Sequence, residues 1–207
     1  MNLSLVIQPQ THYTGQVFKE AHLEQPQLAS SEFYDCTFIR CSFTESVFNN
    51  CRFVNCTFKH CDLSLLQVLN SAFSATKMEE SKILGVDWTH ADWSSTMLAD
   101  PIGFFKCDIS HSTFIGLSLK SVQIIDCVAK DVDFRETDLS KAVFTGTDLS
   151  ESLFSKTNLT EADLSRSRNY HIDPGQNILK RAKFSMPEAM SLLYSLDIVL
   201  IEGDEFG

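Results

Sequence analysis

Seven cysteines and six histidines are the residues of this 207-residue chain whose chemistry could mark a site. Cys36, Cys41, Cys51, Cys56, Cys61, Cys107 and Cys127 could in principle hold zinc, form disulfides or supply a nucleophile. Their spacing argues otherwise. No C-x-x-C occurs, and Cys36/Cys56, Cys41/Cys61 and Cys107/Cys127 are each 20 apart, the mark of a stacked ladder of small core residues. His12, His22, His60, His90, His111 and His171 form no metal motif and read as solvated side chains. Phosphate-loop, dinucleotide, zincin and nucleophile-elbow signatures are all missing. These residues predict no catalytic, cofactor or metal site, and a chain that is not an enzyme.

The elements that position them follow from one rhythm. Phe18, Leu23, Leu28, Phe33, Phe38, Phe43, Phe48, Phe53 and Phe58 recur every fifth residue, and the series continues through Leu63 and Phe73 to Trp93 and Leu98. After a slip of one residue it resumes at Phe104 and runs through Phe114, Phe134, Phe144 and Phe154 to Leu164. Thirteen of the 16 phenylalanines lie on this lattice, which chance does not produce. Two residues before each large residue stands a small one, commonly Cys, Ser, Thr or Ala, and all seven cysteines occupy that position.

A helix places residues i and i+5 about 140° apart, so the large residues would scatter around it. A straight strand puts them on opposite faces. Within a pentad, however, the small and large residues are two apart and share one face, and the remaining three can turn the chain. A quarter turn per pentad closes a square in roughly 20 residues, with coils about 4.8 Å apart. The lattice therefore predicts an all-β solenoid of stacked square coils, roughly 36 Å long. Phe38, Phe53, Phe58, Phe114, Phe134, Phe144 and Phe154 are its expected core.

The segment AVFTGTDLSESLFSKTNLTEADLS, residues 142–165, resembles the pentapeptide-repeat proteins, whose consensus is A(D/N)LXX. That resemblance spans about residues 16–167 and implies a right-handed quadrilateral β-helix. It organises the chain as an N-terminal cap (1–15), the repeat column (16–167) with a one-residue insertion near 99–103, and a C-terminal capping and dimerisation module (168–207). In that module, Ser185-Met186-Pro187-Glu188 reads as a helix start and residues 197–202 as a strand. Met190, Leu193, Leu196, Ile198 and Leu200 supply more apolar surface than one cap needs, which predicts a homodimer. A well-covered monomer is the other reading.

The tail motifs Asn169-Tyr170-His171-Ile172-Asp173 and Phe184-Ser185, with Pro187-Glu188-Ala189, are similar to the topoisomerase-poison-resistance subgroup, the Qnr-like and MfpA-like proteins. LGVDWTHADW, residues 84–93, is most similar to the albicidin-resistance protein. The resemblance implies a DNA mimic that binds DNA gyrase, and topoisomerase IV, and protects it from a poison such as albicidin, a microcin or a quinolone. Many Qnr proteins carry two sizeable loops that this lattice lacks.

A net charge of -10 excludes a basic nucleic-acid sheath and suits a partner that normally holds a polyanion. No apolar run is long enough to span a membrane, and the first residues resemble no secretory signal, so a cytoplasmic protein is expected. Acids just before the large residue, such as Asp138 and Asp148, are explained by backbone hydrogen bonding at a corner. Acids two residues after it lack that explanation. Asp126, Asp131, Glu136 and Glu151 are therefore the candidate partner contacts, with Asp131 and Glu151 stacked like on like and Glu136 facing Lys156. Solvated, salt-screened charge is an equal reading. Asp100, Pro101 and Gly103 join the candidates because the insertion re-aims the surface there. A non-enzymatic scaffold or regulator with another protein partner is the alternative function.

Overall fold

Each side of a square coil has room for one large and one small inward residue, and the chain obeys that limit as a β-solenoid of about eight turns. This computed structural model describes residues 7–21, 23, 27–94, 101–196 and 198. One side stacks His12–Thr14, Glu32–Tyr34, Arg52–Val54 and Ala72–Ser74 in parallel. The next stacks Val17–Lys19, Thr37–Ile39, Thr57–Lys59, Lys77–Glu79, Gly103–Phe105 and Gln123–Ile125. In the C-terminal half most sides shorten to single bridges such as Asp133 to Leu153 and Asp138 to Asn158. Among the described residues no helix is long and apolar enough to cross a membrane.

The pentad Asp138-Leu139-Ser140-Lys141-Ala142 shows why five residues suffice. Asp138 N–H donates back one coil to the Leu117 carbonyl at 2.8 Å, while Leu139 and Lys141 donate forward to the Asn158 and Thr160 carbonyls, both at 2.8 Å. Ala142 N–H closes the turn on the Leu139 carbonyl at 3.0 Å. Only Ser140 N–H lies outside this ladder, and the Asp138 carboxylate accepts it at 3.1 Å. Every donor of the pentad is thus paired, as a column without a solvated interior requires. The same i to i+2 bond ties Asp62, Asp87, Asp92, Asp108, Asp148 and Asp163 to the backbone.

The large residues meet on the axis as expected. Phe18, Phe38 and Phe58 stack with centroids 4.9 and 4.4 Å apart. Phe114, Phe134 and Phe154 stack at 5.4 and 5.3 Å. Rings of adjacent sides meet edge-on, Phe134 against Phe144 at 84°. Phe53 stacks between Phe33 and Phe73 at 4.9 and 5.0 Å. All seven expected core phenylalanines are buried.

Three boundaries shift. The insertion is six residues long, because Phe104 pairs with Met78, a step of 26 where other coils step 20. Leu98 falls by coincidence on the five-residue beat, which disguises the longer insertion as a one-residue slip. Leu98 and Asp100 lie outside the described residues. The column also starts earlier than residue 16, since His12–Thr14 pairs with Glu32–Tyr34. It ends later than residue 167: Lys183–Phe184 pairs with Asp163–Leu164, and Ile178 bridges Asn158. The C-terminal helix is short, a 3₁₀ turn at Glu188–Met190 running into Ser191–Tyr194. Of the strand expected over 197–202 only Ile198 is described, and it is not in a strand; the rest, Leu200 with it, lies outside the described residues.

Candidate functional site

The corners of the column determine which charges a partner meets. At the described corners of the repeat other than His90, the residue two positions after the large one takes a left-handed backbone, with φ of 54° at Asp131, 53° at Asp126, 59° at Glu136 and 57° at Glu151. After glycine, Asp and Asn tolerate this region best, and other side chains are strained in it by roughly 1–2 kcal/mol. Forward hydrogen bonds hold Asp126, Asp131 and Glu136 in place, as from Asp131 N–H to the Ser150 carbonyl at 2.8 Å. These side chains therefore project from the edges of the column.

Asp131 and Glu151 stand one above the other on a single edge, both exposed. Asp131 is not an unpaired acid, for its carboxylate meets His111 Nδ1 at 3.0 Å on the coil before. Asp126 and Glu136 do not join them. They turn the corners before and after Asp131 in the same coil, so the four acids wrap three edges instead of forming one patch. Five residues per side make that separation unavoidable. Gly146, with φ of 75°, stands over Asp126, and a Cβ there would collide with the carboxylate. Glu136 meets Lys156 at 3.3 Å, the ladder its spacing suggested. Lys141 and Glu161 share that spacing without a salt bridge among the described residues.

Acids on the flat sides are tied down. Asp133 is gripped by Arg135 of its own pentad at 2.7 Å, and Asp148 by Arg168 of the next coil at 3.1 Å. Burial pushes the Asp148 carboxyl up, but the Ser150 hydroxyl, the Asn169 amide, Ser150 N–H and the Arg168 charge outweigh it and hold it at about 2. Pro101 and Gly103 lie one coil before Asp126, on the side that ends at its corner.

The cysteines belong to an interior ladder. All seven are buried and free. The Cys56 thiol donates to the Phe33 carbonyl at 3.3 Å, and burial pushes it up to about 12. Hydroxyls do the same work elsewhere: Thr147 donates to the Ile124 carbonyl at 2.7 Å and accepts from Cys127 N–H at 3.3 Å. Ser152 bridges Ala129 and Val132 in the same way. Size was the readable property of this position, yet its run of Ser, Thr and Cys also marks a polar bridge between coils. Asn177 takes the same place one coil beyond the repeat, donating to Phe154 and accepting from Thr157.

At the C-terminal end, Tyr170 and Ile172 are buried under the last coil, and the Tyr170 ring meets Phe184 at 5.5 Å. Leu192 packs on the core. Met186, Met190, Leu193, Tyr194, Leu196 and Ile198 stay exposed, which leaves an apolar face around the short helix.

Residues 31–101 match a family model described as the pentapeptide repeat region, and residues 130–166 match one described as pentapeptide repeats in eight copies. No curated protein sequence matches the chain. Two solved structures of trypsin-treated QnrB1, a plasmid-mediated fluoroquinolone resistance protein, are similar in fold. One has a TM-score of 0.60 at 18% identity, over 92% of this chain and 100% of that one. The other has a TM-score of 0.62 at 20% identity, over 98% of this chain and 100% of that one.

Proposed function

The chain belongs to the pentapeptide-repeat proteins, and from that premise we propose that it is a non-enzymatic, DNA-mimicking binder of DNA gyrase, with topoisomerase IV as a second target. It shields the enzyme from a poison of the albicidin, microcin or quinolone type, which places it in the cytoplasm. The observation that carries this reading is the edge on which Asp131 and Glu151 stack as exposed carboxylates one coil apart. Stacked like charges cost stability, and although His111 offsets part of that cost at Asp131, the Glu151 carboxylate has no ion-pair partner among the described residues, which favours a role outside the fold. The kinship of its fold with QnrB1, a fluoroquinolone resistance protein, supports the resistance class.

The magnitude limits how the mimicry works. Duplex DNA carries one charge per roughly 1.7 Å, so about 38 Å of it holds some twenty. This chain carries a net charge of -10, so a partner reads placed carboxylates more than total charge. The apolar face of Met190, Leu193, Leu196 and Ile198 joins two such columns into a homodimer in the proposal, which doubles the anionic length. Supercoiling by purified gyrase, with and without poison, tests the reading. Micromolar protein is expected to inhibit supercoiling or to rescue it from the poison, and failure to do either sinks the proposal.

A further inference from the structure

Beside the insertion, two neighbouring columns of outward side chains become small in successive coils, at Ala75 and then at Gly103. One corner carries Asn55, Ala75, Pro101 and Ser121, and the adjacent strand column carries Thr57, Lys77, Gly103 and Gln123. Ala75 and Gly103 leave a cavity of about 460 Å³ between their larger neighbours. That size falls in the range of small-molecule sites, roughly 300–1,000 Å³.

Gly103 is not required by its backbone, which lies outside the left-handed region. It is required by space, because a Cβ there would sit 2.8 Å from Phe105 Cε2. The Phe105 ring is therefore folded back over Gly103 and lines the cavity together with Ile102 and Pro101. Lys77 is the one charged residue among the described lining residues. It has no carboxylate partner among the described residues. Glu79, on the same strand, is taken by Lys59 at 3.5 Å, and Asp35 is held by the Asn55 amide at 2.5 Å. Asn55, Ser121 and Gln123 add neutral hydrogen-bonding groups.

We propose that this notch binds a small planar aromatic anion, its carboxylate on the Lys77 ammonium and its ring against Phe105. The described lining of this cavity carries one charge, a positive one, and so favours an anion. The aromatic lining selects for a flat ring. The site needs no gyrase, so it stands or falls apart from the function proposed above.

Calorimetric titration of the full chain with 2-naphthoate, and with neutral naphthalene-2-carboxamide, tests it. Saturable 2-naphthoate binding is expected. Lys77→Gln should weaken it about ten-fold, the worth of one charge-assisted hydrogen bond, while leaving the carboxamide unchanged. Gly103→Ala pushes the Phe105 ring aside and should weaken both, and Phe105→Leu gives the same readout if that variant misfolds. Lys82→Gln, on the next side, should change neither. Absence of saturable binding at millimolar 2-naphthoate, or unchanged binding by Lys77→Gln, overturns the site.

Discussion

Single residues in this column answer to the backbone before they answer to any partner. Thr147 joins Ile124 and Cys127 across two coils while fully buried. Thr147→Val keeps the shape but leaves a buried carbonyl and N–H unpaired, so it should lower stability by about 1–3 kcal/mol in urea unfolding. Thr147→Ser keeps both bonds and should lose less. Asp148 gives a pH test. Its folded carboxyl lies near 2, below the value of about 3.9 for a free aspartate, so its stabilisation is full above that value and fades as pH falls toward 2. The stability gap between wild type and Asp148→Asn should therefore narrow by about 2 kcal/mol between pH 6 and pH 2. Asp131→Lys with Glu151→Lys faces outward from the fold. Near-native melting with weakened gyrase binding is the expected result, and undiminished binding would remove that edge from the proposal.

At the scale of the element, the pentad is the unit, and its large residue is the part that cannot change. Phe53 sits in a continuous stack between Phe33 and Phe73 and is 1% exposed. A carboxylate there would be buried without a partner, beyond what a marginally stable column can absorb. Phe53→Asp should give no soluble folded protein, read from the soluble fraction and far-UV circular dichroism, and a normally folded variant would refute the stacked core. The hydroxyl and thiol ladder is the second constant of the pentad. It explains why the cysteines stand where Ser and Thr stand in other coils: a thiol and a hydroxyl both donate to the carbonyl below. Thiols held this way are packing groups, and burial keeps Cys56 protonated at neutral pH.

At the scale of the molecule, the column buries its large residues along one axis and leaves function to its edges and ends. The exposed apolar face around Ser191–Tyr194 is the feature of the C-terminal end that the column itself does not use. Met190→Glu with Leu193→Glu places two charges in that face. Sedimentation should show a dimer for the wild type and a monomer for this variant, and a monomeric wild type would end the dimer proposal. The extra apolar surface was readable from composition, but the helix that presents it is shorter than its periodicity suggested.

The coil is written in the residue order alone, because a repeat of five is a local rule: each pentad satisfies its own turn and offers the same inward pair. It therefore specified the core phenylalanines, the burial of the cysteines and the backbone role of Asp138 and its counterparts. Only the tertiary structure decided what depends on which coil lies above which. Phe104 over Met78 turned an apparent one-residue slip into a six-residue insertion. His111 against Asp131, and the spread of Asp126 and Glu136 onto other edges, follow from the quarter turn at every corner. The notch at Ala75 and Gly103 exists because two small residues far apart in the chain meet in successive coils. Neighbours 20 or 26 residues away are set by stacking, and the period does not encode which of those steps occurs.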